Sequence, residues 1–148
     1  MKVSKTWLAH AYNQVKNCEI ALEIAQKVLN QDSNYLIAKY PLAEAQYGLG
    51  NVSKAIENLK TITQEKPEYT KPIRLLTKIY TETDQPDELL ETLDRKQPKD
   101  AKTWYYAAQY FYKKGKLKKA AELNQKALTL DRKLKQAKEL KQLIKKIH

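Results

Sequence analysis

The chain has 148 residues, 42% of them hydrophobic and 30% charged, and a formal net charge of +11. That length suits a single domain able to bury a core, and that balance excludes a disordered chain. One cysteine excludes both an intramolecular disulfide and a thiolate metal cluster. The N-terminal MKVSKTWLAHAYNQVKN lacks the continuous apolar run of a signal peptide, and no window approaches the ~18 apolar residues of a membrane span. A cytoplasmic protein without a membrane span is therefore expected. Few glycines and prolines and no β-branched runs favour an all-α fold.

In chain order, the first unit covers about residues 2–35. One helix carries Leu8, Ala9 and Tyr12 on a face, and the next carries Ala21, Leu22, Ala25, Val28 and Leu29. Both sets follow the i, i+3, i+4, i+7 spacing of a buried stripe. Asn17 marks the break, with a side chain able to cap the second helix. Cys18 shares a column with Val52, Pro86 and Leu117 and reads as a small apolar filler. In the second unit, about 36–69, Gly48-Leu49-Gly50-Asn51 stops the first helix. Val52, Ala55, Ile56, Leu59 and Ile62 form the stripe of the next helix, and Pro67 ends it. Pro41 falls inside the expected helix, so that helix either begins late, near Tyr40, or is kinked.

The third unit, about 70–100, places Pro72 in a first turn and Asp84-Gln85-Pro86-Asp87-Glu88 at a helix start. Leu59 to Pro67 spans eight residues, but the matching Leu93 to Pro98 spans five. Nearly one turn is missing, which puts the end of that helix near Arg95 or Lys96. The fourth unit, about 101–134, is WYYAAQYFYKKGKLKKAAELNQKALTL, two amphipathic helices joined at Gly115. A last helix, about 133–148, carries Leu134, Ala137, Leu140, Ile144 and Ile147, which would pack near Ala121, Ala127 and Leu128 and cap the stack.

The units are copies of one pattern. Ala120 lines up with Leu89, Ala55 and Ala21 at separations of 31, 34 and 34 residues, and Ala107 with Leu76, Leu42 and Leu8 at the same separations. A helix–turn–helix period of ~34 resembles the tetratricopeptide repeat. Trp104, Ala107, Ala108, Phe111, Gly115, Ala120 and Ala127 carry the motif best; Leu42, Ala43, Gly50, Ala55 and Pro67 support it in the second unit, and Leu8, Ala9, Tyr12 and Ala21 in the first. The resemblance implies a right-handed α-solenoid of four repeats plus a C-terminal capping helix, all in one domain.

It also implies a non-catalytic adaptor that binds a peptide or helix of another protein in a groove lined by the first helix of each repeat. Carried over by position, the groove residues are Trp7, His10, Asn13 and Gln14; Tyr40, Glu44 and Tyr47; Lys71, Arg74 and Lys78; and Lys102, Tyr105, Tyr106, Gln109, Tyr112 and Lys113. The lysines and Arg74 favour acidic residues on that partner. Tyr40, Tyr47, Tyr105, Tyr106 and Tyr112 are expected to be partly exposed, whereas Tyr12, Tyr80 and Tyr110 read as packing residues. A two-carboxylate clamp of the family would need basic and amide residues where Thr6, His10, Pro41, Lys71 and Leu75 stand. Only Lys71 fits, which disfavours a chaperone tail.

Charge adds an alternative. Met1 to Tyr112 holds 15 Lys/Arg against 14 Asp/Glu, and Lys113 to His148 holds 13 against 3. The basic C-terminal region could bind an anionic polymer such as nucleic acid, although a basic amphipathic helix is also what a soluble cap looks like. The two histidines, His10 and His148, have no carboxylate pair in an evident cleft. No phosphate loop or metal-ligand spacing appears. No enzyme, cofactor or metal is expected.

Overall fold

The computed structural model describes residues 1–147; His148, expected at the end of the last helix, lies outside the described residues. Among the described residues, nine helices hold about four-fifths of the chain: α1 Lys2–Gln14, α2 Cys18–Gln31, α3 Leu36–Gly48, α4 Val52–Glu65, α5 Thr70–Glu82, α6 Pro86–Lys96, α7 Ala101–Lys113, α8 Leu117–Leu130 and α9 Lys135–Ile147. No strand occurs among them. The fold class is all-α.

One backbone device closes four of the turns. After α1, α3, α5 and α7 a single residue adopts positive φ: Lys16 at 65°, Gly50 at 89°, Asp84 at 56° and Gly115 at 78°. The amide that follows bonds back across the turn, Asn17 to the Tyr12 carbonyl at 2.9 Å, Asn51 to Gln46 at 2.7 Å, Gln85 to Tyr80 at 2.8 Å and Lys116 to Phe111 at 2.9 Å. This is a Schellman-type closure, which satisfies helix-end carbonyls and suits glycine. Asn17 precedes α2 but makes no side-chain capping bond, so the backbone closure rather than its amide ends the turn.

Residues Met1–Ile79 form one compact unit. Within it α1 packs on α2 and α3, α2 on α3, and α3 on α4. Ala9, Ala25 and Leu42 make a buried cluster covered by Leu22, Ile24 and Leu29. Alanine columns bring the helices close, and Gly48 takes this furthest. A Cβ there would lie 2.4 Å from the Cys18 Sγ. Leu8, expected in the core, is 48% exposed, since no helix among the described residues covers that side of α1. The late start considered for the second unit is ruled out: α3 begins at Leu36 and carries a buried Pro41 inside it.

The second unit begins at Tyr80, within α5. Here α6 has 11 residues where α2, α4 and α8 have 14. The chain leaves α6 through Gln97 in the left-handed region, and the Trp104 indole N–H donates to the Pro98 carbonyl at 2.7 Å. The buried Tyr80 hydroxyl is hydrogen-bonded to Thr92. α7 packs on α8, and α9 packs on both. Leu134, Ala137, Leu140 and Ile144 are buried, and the Asn124 amide on α8 donates to the Ala137 carbonyl at 2.8 Å. Ile147 is 56% exposed and Ala121 is exposed, so the covered stripe is shorter than its sequence pattern.

Candidate functional site

Repeat spacing builds the site in the first unit. His10 and Glu44 are 34 residues apart and occupy the same position on α1 and α3, which pack on each other. Their side chains meet, His10 Nδ1 to Glu44 Oε1, at 2.8 Å. One turn along α1, the Asn13 amide donates to the Pro41 carbonyl at 3.0 Å and to Glu44 at 3.4 Å. This network ties α1 to α3. Burial pushes the Glu44 carboxyl above its usual range, an effect that the His10 and Asn13 hydrogen bonds partly oppose.

Beside that network lies a recess of about 120 Å³, lined by Val3, Thr6, Trp7, His10, Tyr35, Ile37, Tyr40, Pro41, Tyr69 and Lys71. Four rings run through it: Trp7 to His10 at 6.2 Å between centroids, His10 to Tyr40 at 6.1 Å, and Tyr40 to Tyr69 at 5.9 Å. These separations are those of edge and tilted aromatic pairs. The Lys71 ammonium lies 5.7 Å from the Trp7 ring centroid, a cation–π arrangement. Burial raises the Tyr40 hydroxyl pKa well above that of a free tyrosine, helped by the Glu44 charge, and burial raises that of Tyr69 as well. Both remain protonated donors. Trp7 stays 63% exposed at the mouth.

Of the residues assigned to a groove by position, Trp7, His10, Tyr40 and Lys71 come together here, with Glu44 half-buried beneath His10. Asn13 requires correction: it is 9% exposed and ties α1 to α3 instead of facing a ligand. Gln14 and Lys78 are exposed and Tyr47 and Arg74 half-buried, and none of them lines the recess. In the second unit Lys102, Tyr106 and Lys113 are exposed, while Gln109 and Tyr112 are half-buried. Tyr105 is a second correction, since it is buried at 9% exposure with its ring 5.4 Å from that of Tyr106. Tyr110, read as a packing residue, donates its hydroxyl to Asp84, and Lys114 sits 2.9 Å from the same carboxylate.

Tyr35 and Tyr69 were missed because they precede α3 and α5 rather than lying on them. They are one period apart, 34 residues, and that repetition was the available signal. Among the described residues no three His, Cys, Asp or Glu side chains gather as a metal site, and no helix is long and apolar enough to cross a membrane.

Comparison with known proteins matches residues 19–79 to the tetratricopeptide repeat family. That segment is tetratricopeptide repeat. No curated protein matches the chain in sequence. Among solved structures, a thermophilic TPR protein of Thermus thermophilus is 20% identical, with a TM-score of 0.72 over 97% of this chain and 81% of that one. A MamA protein is 18% identical, with a TM-score of 0.72 over 98% and 81% of the two chains. MamA of Desulfovibrio magneticus, residues 41 to the end, is 19% identical, with a TM-score of 0.65 over 97% and 85%. At these identities the likeness establishes that the fold of the whole chain is that of tetratricopeptide-repeat proteins.

Proposed function

We propose that the chain is a non-catalytic protein–protein interaction module whose first unit holds a peptide or helix of a partner by one anchoring side chain. The tetratricopeptide fold is consistent with such a module. The observation that carries the reading is the run of Trp7, His10, Tyr40 and Tyr69 around a recess sized for a single large apolar side chain. Exposed aromatics beside a cation are the usual make-up of a binding hot spot. Lys71 at the rim favours a carboxylate next to the anchor. The His10–Glu44–Asn13 network fixes His10 and ties α1 to α3 beside the recess, so little order has to be gained on binding.

The same geometry supports reading His10 as structural. Its Nδ1 is engaged by Glu44, and no activated nucleophile stands beside the pair. The Thr6 hydroxyl donates to the Lys2 carbonyl at 2.7 Å, and Tyr40 and Tyr69 hold their protons. In this reading the chain is one domain of four repeats and a cap, at home in the cytoplasm. Lys102, Tyr106, Gln109 and Tyr112 offer a separate contact area on the second unit, and Tyr47, Arg74 and Lys78 remain peripheral.

Selection of a random peptide library on the full chain tests the proposal. The expected binders carry an aromatic or aliphatic anchor next to an acidic residue and lose about tenfold or more in affinity on Trp7→Ala or Tyr40→Ala. Binders indifferent to both substitutions in folded protein would place the site elsewhere.

A further inference from the structure

A second concave surface lies on the second unit, where α8 and α9 pack on each other across a short link. Between them is a cleft of about 590 Å³. Four cations line it, Arg132 from the link and Lys138, Lys141 and Lys145 from α9, and no acidic residue does. None of the four makes an ion pair among the described residues. The apolar side of α9 is already committed to packing through Leu140 and Ile144, so these lysines are not needed to cover the core. Four cations and no acid along one cleft make its potential positive, and an anion there would be favoured.

The lysines recur at i, i+3 and i+7, which sets them along one side of α9 in steps of roughly a turn, over about 10 Å. Carboxylates on a neighbouring helix recur at the same interval. The Gln125 and Gln142 amides and the Leu128 side chain complete a wall able to meet the body of a helix as well as its charges. No aromatic ring lines the cleft to stack a base, and a single arginine offers a fork for phosphate. These features favour a protein ligand over a nucleic acid.

We infer that the α8–α9 cleft binds an acidic helical segment of a partner protein, its carboxylates one turn apart against Lys138, Lys141 and Lys145. The site does not depend on the recess of the first unit. It uses charge and register where the recess uses aromatic area.

Three fluorescent probes test it with the full chain at low salt. One is an alanine-rich helical peptide of about four turns with glutamates in a single i, i+3, i+7 row. The second has the same composition with the glutamates spread around the helix, and the third is a homothymidine oligonucleotide. The expected result is binding of the first peptide, at least about threefold weaker binding of the second, and a weaker interaction still with the oligonucleotide. The triple variant Lys138→Gln, Lys141→Gln, Lys145→Gln should melt with the parent and lose about tenfold in affinity for the first peptide. Replacing the peptide glutamates with glutamine should abolish binding without touching the protein. Equal binding of the two peptides, tighter binding of the oligonucleotide, undiminished binding by the triple variant, or no peptide binding at all would each overturn the assignment.

Discussion

The recess of the first unit and the cleft of the second are made from similar helix packing and opposite chemistry. In both, close helix contacts rest on small side chains: Ala9, Ala21 and Ala25 in the first unit, and Ala107, Ala120 and Ala127 in the second, all at 0% exposure. The residues left facing solvent then differ. Around the recess rings predominate, with Lys71 beside them, and around the cleft cations predominate, with Gln125, Thr129 and Gln142 between them. The repeated core holds the helices, and the intervening positions are free to carry either anchoring area or charge. Away from these two surfaces, one acid in each unit shows a contrast as well. Glu44 is held up by burial, whereas Asp84 is held below the usual carboxylate range by the Tyr110 hydroxyl and the Lys114 ammonium.

Removing α9 by truncation after Asp131 should have the largest effect, since it erases the cleft and leaves every residue of the recess in place. Leu134, Leu140 and Ile144 are buried, and a buried side chain of this type contributes roughly 1.5–3 kcal/mol before ordering costs. A net loss of several kcal/mol, a lower melting temperature and self-association through the bared faces of α7 and α8 are expected. An unchanged melting temperature with a monomeric elution profile would sink the capping role.

Gly48→Ala probes the packing of the first unit. The new Cβ would meet the Cys18 Sγ at 2.4 Å, so a cost of about 1–3 kcal/mol in urea unfolding is expected. Adding Cys18→Ala should recover most of it, because the Cβ of residue 18 lies at an ordinary 3.5 Å. Independent, additive effects of the two substitutions would show that this contact does not explain the glycine.

Lys16→Gly should stabilise by about 1 kcal/mol. Lys16 takes a φ of 65° where the second and fourth units place glycine, and the left-handed region costs an L-residue roughly 1–2 kcal/mol. A lower melting temperature for this variant would mean that the lysine side chain compensates the turn.

The smallest effects are in the pH dependence, and they should have opposite signs in the two units. The raised Glu44 pKa means that the folded state binds a proton more tightly than the unfolded one, whose value is 4.5. Its contribution is therefore greatest below that pH and falls as pH rises into the window above it. The lowered Asp84 pKa gives the reverse: a contribution present above the unfolded value of 3.8 and lost as pH falls through the folded one. Denaturant midpoints of Glu44→Gln and Asp84→Asn against the parent, from about pH 3 to 6.5, should show the two slopes removed in opposite directions. Slopes of the same sign would break the contrast.

Much of this was legible in the chain. The alanine columns, the glycine stops and the three-residue deficit after Leu93 placed the helices and the shortened α6. Periodicity also put His10 and Glu44 in equivalent positions, which is why their contact follows once α1 and α3 pack. Leu8 and Ile147 could not be resolved this way, since a stripe shows which face is apolar and not whether a neighbour covers it. Asn13 and Tyr105 failed for the complementary reason. Both stand off the core columns, and only the approach of another helix buries them.

The sequence by itself determined the helical class, the ~34-residue period and the concentration of lysine after Tyr112, because these depend on local propensity and spacing along one chain. Only the tertiary structure decided that rings from α1, α3 and the turn before α5 share one recess, and that four cations of the α8–α9 region share one cleft. The recess gathers residues distant in the chain, and the cleft joins two consecutive helices across a short link. Their meeting depends on how closely the alanine-lined faces let the helices approach, which is a property of packing rather than of any single segment.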